Sequence, residues 1–378
     1  MESEAKDSAL SRRRITIFVS VLCTILLLVH GFTIGTLAHF WRTPCSPMWQ
    51  IASPALTLAF VASMLAGMRY SGLWLRILYR LSAAWLGLLG FGFFAAIAVW
   101  VAAGINTLLH APVNPRRFVE VFFGSAVVMS LYGIINAAWL RTTRVTVKLE
   151  NLPSEWHCSN AALVSDMHLG NVRGAGLTKR VVARLQRMQP RSVFISGDMF
   201  DGAVADYDAL LEPWRDFAKS TPVFYVTGNH EEFSDRSKYL KAVSGAGIRV
   251  LNNEKAEVGG LQVIGVHDGE THHPEIFRAI LQRANIDRDR PSILLAHQPS
   301  SLAVPAEAGV SLQLSGHTHR GQVWPWHWLA ARVHGRFVYG LNRWQNLQVL
   351  TSSGAGTWGP PMRVNTRSEI VLIRFEAR

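Results

Sequence analysis

The chain has 378 residues, 49% of them hydrophobic and only 17% charged, with a formal net charge of +12. That is too few charges for an ordinary soluble enzyme, and the length admits two domains. The deficit falls in the first ~140 residues, which is the pattern of a membrane-embedded half followed by a water-facing half. A basic balance points to nucleic acid or to an anionic membrane. Arginines flanking apolar runs favour the membrane, and there is no Lys-rich arm or nucleic-acid motif, so no nucleic-acid partner is expected. Cys23, Cys45 and Cys158 have neither zinc-cluster nor disulfide-framework spacing.

Residues 1–14 are polar and end in Arg12-Arg13-Arg14, and are read as a cytoplasmic N-terminal segment. Four apolar runs follow, at 15–40, 48–68, 81–103 and 118–140, each near the ~20 residues needed to span a bilayer. Their Gly, Ala and Ser content, with Gly87, Gly90 and Gly92 as examples, suits close helix packing in lipid. The expectation is a four-helix transmembrane bundle over 15–140, joined to a catalytic domain over 141–378. Arg12, Arg13, Arg14, Arg69, Arg76, Arg80, Arg141, Arg144 and Lys148 lie on one side of the alternating loops, against Arg42, Arg116 and Arg117 on the other. The positive-inside bias then places both termini and the catalytic domain on the cytoplasmic face of a multi-pass protein. His30, His39, Asn106, Glu120 and Asn136 lie in or near the spans without relay spacing and are read as structural.

Beyond the spans, 144–149 alternates as a strand. Five short runs rich in Val, Ile and Leu then read as buried strands, at 161–165, 192–196, 223–227, 293–296 and 310–315. Each is followed by a polar fragment: Asp166-Met167-His168, Gly197-Asp198-Met199-Phe200-Asp201, Gly228-Asn229-His230-Glu231, His297, and Gly316-His317-Thr318-His319. Helical spacing fills 177–188 and 206–219, so strand and helix alternate as in an α/β sandwich. Ligands at the carboxyl ends of such strands converge on one edge. Carboxylate, amide and imidazole together suit two divalent cations such as Mn, Fe, Zn or Co. A metal pair roughly 3.5–4 Å apart activates water and clamps phosphoryl oxygens, and one carboxylate must bridge the pair. Asp198 is the natural bridge.

His267, Asp268, His272 and His273 are read as loop polarity rather than ligands. Arg173 is read as a substrate-phosphate contact or a solvated loop charge. Trp324, Trp326 and Trp328 crowd one stretch after His319. Trp favours membrane interfaces, so this loop is expected either to dip into the headgroup layer or to form a packed aromatic cluster. Arg363, in a Gly/Pro-rich region, is read as a phosphate contact or a turn cap, and 369–375 as a final strand.

The fragments resemble the calcineurin-like metallophosphoesterase family, whose blocks run D-x-H, G-D-x-x-D, G-N-H-[DE], a lone His and G-H-x-H. The stretch after 354 resembles the tail of that family's membrane-associated bacterial branch. The resemblance implies two mixed sheets flanked by helices. It implies one metal held by Asp166, His168, Asp198 and His319, and a second held by Asp198, Asn229, His297 and His317, with manganese favoured. It implies that His230 contacts the scissile phosphate and protonates the leaving group, oriented by Asp201. Glu231 replaces the commoner Asp without touching a ligand. The expected function is hydrolysis of a lipid-linked phosphodiester or pyrophosphate at a bacterial inner membrane, with UDP-2,3-diacylglucosamine of lipid A synthesis as the specific instance. The alternatives are a general phosphodiesterase of lipids or nucleotides, and a membrane sensor or transport bundle with a phosphoesterase output domain.

Overall fold

A computed structural model describes residues 2–41, 47–233 and 235–378, with side chains from residue 16 onward except 18, 47–50 and 53. Arg12, Arg13, Arg14, Arg42 and Cys45 lie outside the described side chains. The chain divides into two compact units, Met1–Tyr132 and Gly133–Arg378.

The first unit is helical: α1 (Glu2–Trp41), α2 (Pro47–Gly67), α3 (Leu73–Leu108) and most of α4 (Arg116–Ala138). Among the described residues three helices are long and apolar enough to cross a membrane: Val19–Trp41, Leu73–Leu108 and Arg116–Ala138. The expected second span corresponds to α2, which carries Pro54 and contributes the shorter apolar helix Pro54–Gly67. Arg76 and Arg80 lie within α3 rather than in a loop. At 36 residues α3 is about 54 Å long, well beyond a ~30 Å hydrocarbon core, so it tolerates charge in its first turns. Outward side chains are apolar, including Leu28, Trp74, Leu108 and Val128. That surface is unsuited to water and suited to lipid.

Polar groups inside this unit are used locally. His30 is buried, its Nδ1 2.8 Å from the Leu26 carbonyl, and its Nε2 accepts from Trp85 Nε1 at 2.9 Å. Trp100 Nε1 donates to Thr36 Oγ1 at 2.9 Å. Such bonds tie apolar helices together where hydrophobicity cannot.

The second unit holds two six-stranded mixed sheets. Its elements are β1 (Arg141–Leu149), β2 (Asn160–Val164), α5 (Ala175–Met188), β3 (Val193–Ser196), α6 (Tyr207–Ser220), β4 (Val223–Val226), α7 (Asn229–Glu232), α8 (Ser237–Gly245), β5 (Arg249–Val250), β6 (Glu254–Val258), β7 (Leu261–Gly265), α9 (Asp268–Thr271), α10 (Pro274–Arg283), β8 (Ser292–Leu295), α11 (Ala303–Ala308), β9 (Leu312–Ser315), α12 (Trp326–His334), β10 (Gly340–Trp344), β11 (Leu347–Thr351) and β12 (Glu369–Ala377). One sheet is ordered β1-β12-β2-β3-β4-β5 and the other β10-β11-β9-β8-β7-β6.

The period of two along each strand builds the layers. Ala161 and Leu163 of β2, with Phe194, Phe224 and Val226, face Leu261, Val263, Ile293, Leu295, Leu312 and Leu314 between the sheets. Ala162 and Val164, with Val193, Ile195 and Tyr225, pack on the other face against Val181, Leu185, Leu211 and Trp214 of α5 and α6. Phe277, Ile280 and Leu281 of α10 cover Ile264, Leu294 and Val349. The order is therefore helix, sheet, sheet, helix. Because β2, β3 and β4 run parallel, as do β7, β8 and β9, their carboxyl ends share an edge within each sheet.

Candidate metal centre

Every expected ligand fragment leaves a strand of the parallel blocks: Asp166 and His168 after β2, Asp198 after β3, Asn229 after β4, His297 after β8, His317 and His319 after β9. Asp166, His168, Asp198, His317 and His319 all have left-handed backbone, with φ between 46° and 69°. Non-glycine residues adopt that region rarely, and such strain concentrates at functional sites. The glycines allow the loops to close in. A Cβ on Gly228 would overlap the Asp198 carboxylate, and one on Gly316 would overlap that of Asp166.

The side chains meet in three groups with ligand atoms within 4.8 Å of one another: Asp166, His168 and His319; His168, Asp198 and His230; Asp198, His297 and His317. Asp198 Oδ2 lies 3.7 Å from His168 Nε2 and 3.3 Å from His297 Nε2. Asp166 Oδ1 lies 3.4 Å from His319 Nε2, which is 2.9 Å from His168 Nε2. Asn229 Oδ1 lies 2.9 Å from His317 Nδ1.

The donor set fits divalent cations on observations of this site. Two imidazole nitrogens that face each other at 2.9 Å beside carboxylates are placed as ligands of one cation would be. His297 is fully buried, its Nδ1 donates to the Ser196 carbonyl at 2.7 Å, and its Nε2 makes no hydrogen bond. That pairing turns Nε2 into the site, 3.3 Å from Asp198 Oδ2, where a ligand nitrogen is wanted. Burial works against a charge on His297, yet the Asp198 carboxylate raises its pKa well above the ordinary value. Burial and the neighbouring His297 push His317 down to about 3. Burial, His168 and Arg363 hold His319 well below its ordinary value. Both rings are thus neutral near pH 7, as a metal ligand must be.

His230 is buried, with its ring 4.6 Å from that of His168 and 5.8 Å from that of Trp358. Asp201 lies between the two histidines, its Oδ1 3.6 Å from His168 Nδ1 and 3.9 Å from His230 Nδ1. Arg173 is half-buried and donates from Nε to Thr357 Oγ1 at 3.1 Å.

Of the two readings of Arg363, a phosphate contact or a turn cap, its contacts fit the second. It is fully buried, and its guanidinium donates to the carbonyls of Ser353, Gly356 and His319. Burial pushes its pKa down to about 10. Trp324, Trp326 and Trp328 are not in one loop. Trp326 and Trp328 lie on α12 and are 57% and 63% exposed, while Trp324 precedes the helix, half-buried, with its ring 6.0 Å from that of Trp328.

The roles of two supporting residues, Glu231 and His267, escaped the sequence reading. Glu231 is fully buried, and its carboxylate accepts from the main-chain N–H groups of Asp198 (3.0 Å), Gly228 (2.7 Å) and Phe200 (2.7 Å). Burial and the Asp198 charge push its carboxyl up to about 8, against the N–H groups that favour the anion. His267 accepts the Thr227 N–H on Nδ1 at 3.1 Å, bracing the loop that carries Asn229. The block G-N-H-E marks Glu231 as present but not what it binds, and the cluster at 267–273 marks His267 but not its bond to the Thr227 N–H.

A two-sheet α/β sandwich that gathers carboxylates and imidazoles at its strand ends is a metallohydrolase-type domain. The chain belongs to the calcineurin-like phosphoesterase family, whose model matches residues 160–321. It is 30% identical over 260 residues to an uncharacterized metallophosphoesterase of Aquifex aeolicus, covering 67% of this chain and 98% of that protein. It is 32% identical over 220 residues to an uncharacterized metallophosphoesterase of Helicobacter pylori, covering 56% of this chain and 58% of that one. It is 31% identical over 265 residues to a zebrafish (Danio rerio) transmembrane protein with metallophosphoesterase domain, covering 65% and 60%. The chain thus spans less than two thirds of the length of several curated relatives it matches.

Proposed function

We propose that the protein is a membrane-bound, dinuclear metal-dependent phosphohydrolase. The observation that carries this reading is that Asp198 belongs to two groups at once, one with His168 and His230 and one with His297 and His317. Asp166, His168, Asp198 and His319 would hold one cation, and Asp198, Asn229, His297 and His317 the other, with Mn favoured. When bound, the pair supplies positive charge for the phosphoryl oxygens and an activated water. The chain's own part is to fix those ligands and to present His230. Burial and His168 lower the pKa of the His230 ring from its ordinary value, so it gives up a proton readily once it carries one as imidazolium beside the scissile phosphate.

The substrate class we favour is a lipid-linked phosphodiester or pyrophosphate, with UDP-2,3-diacylglucosamine the first to assay. Support comes from α12. Trp326, Trp328, Leu329 and Val333 stand outward at 55–69% exposure, and His334 at the helix end packs its ring 5.8 Å from that of His317. An apolar face next to a candidate ligand suits a substrate with acyl chains, with the aromatic rings at the headgroup level and Arg332 and Arg336 toward anionic phosphates. On the same reading α2 is a fourth span, and the excess of basic residues puts both termini in the cytoplasm, at the inner membrane of a bacterium.

The test is hydrolysis by the full-length protein of a lipid pyrophosphate in mixed micelles and of a chromogenic soluble phosphodiester, with Mn added. Replacing Trp326 and Trp328 with Ala should lower turnover of the lipid roughly tenfold and leave the soluble ester within twofold, a loss of ~1.4 kcal/mol of lipid-specific binding. Equal losses on both substrates would remove the case for a lipid.

A further inference from the structure

The last turns of α4, from Gly133 onward, belong to the catalytic unit. They end on the segment that backs the ligands. The Gly133 carbonyl accepts the Arg363 N–H at 2.9 Å. Asn136, only 5% exposed, donates from Nδ2 to the carbonyls of Arg363 and Thr366, both at 2.8 Å. The Ala137 carbonyl accepts from Ser368 Oγ at 2.9 Å. A Cβ on Gly133 would stand 3.0 Å from Met362 Cβ and from Val364 Cγ2, so the approach is as close as glycine permits.

The turn gripped in this way aims Arg363 at His319. Its guanidinium spends donors on three carbonyls at 2.6–3.3 Å, and one terminal nitrogen lies 3.2 Å from His319 Nδ1. The other ring nitrogen, Nε2, is the one that faces His168 and Asp166. A planar fork filling several acceptors at once holds one orientation, which a lysine ammonium cannot reproduce.

We propose that Asn136 and Arg363 are positioning residues for His319. The final turn of α4 sets the 363–366 turn, and Arg363 holds the main-chain carbonyl of His319, which fixes where the ring enters the site. The affinity of one cation position then depends on the end of a helix whose earlier turns are an apolar span. The proposal rests on the dinuclear reading above. Residues that support a metal ligand from outside its coordination shell typically matter about 10- to 100-fold in metal affinity.

The test is a titration of metal-stripped full-length protein in detergent with Co(II), followed by visible absorbance and calorimetry. The wild type should take two equivalents; fewer would defeat the dinuclear reading itself, a result separate from the comparison among variants. N136A and R363M should weaken one equivalent about 10- to 100-fold and leave the other near wild type, with R363K recovering only part of the loss. S368A removes a bond from the same helix end without touching the Arg363 turn, and should match the wild type. Should R363M fail to accumulate as folded protein, N136A and R363K carry the comparison. Wild-type affinities in N136A and R363K, or a loss in S368A equal to that in N136A, would overturn the proposal.

Discussion

The Glu231 carboxylate accepts the Asp198 main-chain N–H at 3.0 Å, so an acid that touches no cation position shapes the loop carrying the shared ligand. The same carboxylate takes the N–H groups of Gly228 and Phe200, binding the loops after β3 and β4 to each other. Replacing Glu231 with Gln turns one acceptor into an NH2 facing those donors. At least one buried N–H is then unpaired, at about 1–3 kcal/mol. Unfolding midpoints should fall accordingly, and metal content after dialysis should drop below that of the wild type. A Glu231→Gln protein with wild-type stability and full metal occupancy would show that the clamp is dispensable.

How far the sequence alone leads is visible at these loops. The strands before Asp166, Asp198, Asn229, His297 and His317 were legible because each is a short buried Val/Ile/Leu run that stops at a polar fragment. The use of Glu231 was not, since its partners are main-chain groups of residues 198, 200 and 228, and a backbone N–H leaves no trace in a residue pattern. Arg363 reads equally as a phosphate contact or a turn cap until the fold seals it among carbonyls. The pair β10 and β11 was missed for a different reason: Gly340–Trp344 is a partly exposed edge strand with no alternation to betray it. Trp326–His334 contains Trp and His spaced as in a loop, but folds as a helix with three residues half-buried and the rest exposed.

His230 makes its own prediction: it shares a candidate group with His168 and Asp198, yet is not one of the seven expected ligands. His230→Asn should keep both cations and lose about 10²- to 10⁴-fold in kcat on an alkyl phosphodiester. The loss should shrink on a nitrophenyl ester, whose leaving oxygen needs no proton. Steady-state kinetics on the two esters measures this, and an equal loss on both would exclude a role at the leaving group.

His267 gives a pH dependence away from the ligands. Burial, then Arg236, pushes its pKa from 6.5 down to about 4. The folded ring stays neutral while the unfolded ring protonates near 6.5. Its contribution is therefore fully present above pH ~6.5 and is lost as pH falls toward ~4, on the order of 3 kcal/mol in total. Denaturant unfolding of wild type and of His267→Gln across this range should converge at low pH. Parallel curves would mean that the ring titrates normally.

The most direct test of the shared carboxylate is electron paramagnetic resonance of the full-length protein loaded with Mn(II), with bis(nitrophenyl) phosphate hydrolysis followed on the same sample. The wild type should show two bound ions with an exchange-coupled spectrum and metal-dependent turnover. Asp198→Asn should lose the coupled signal and at least 10²-fold of the rate. An Asp198→Asn protein that keeps both ions, the coupled spectrum and full turnover would contradict the site as described.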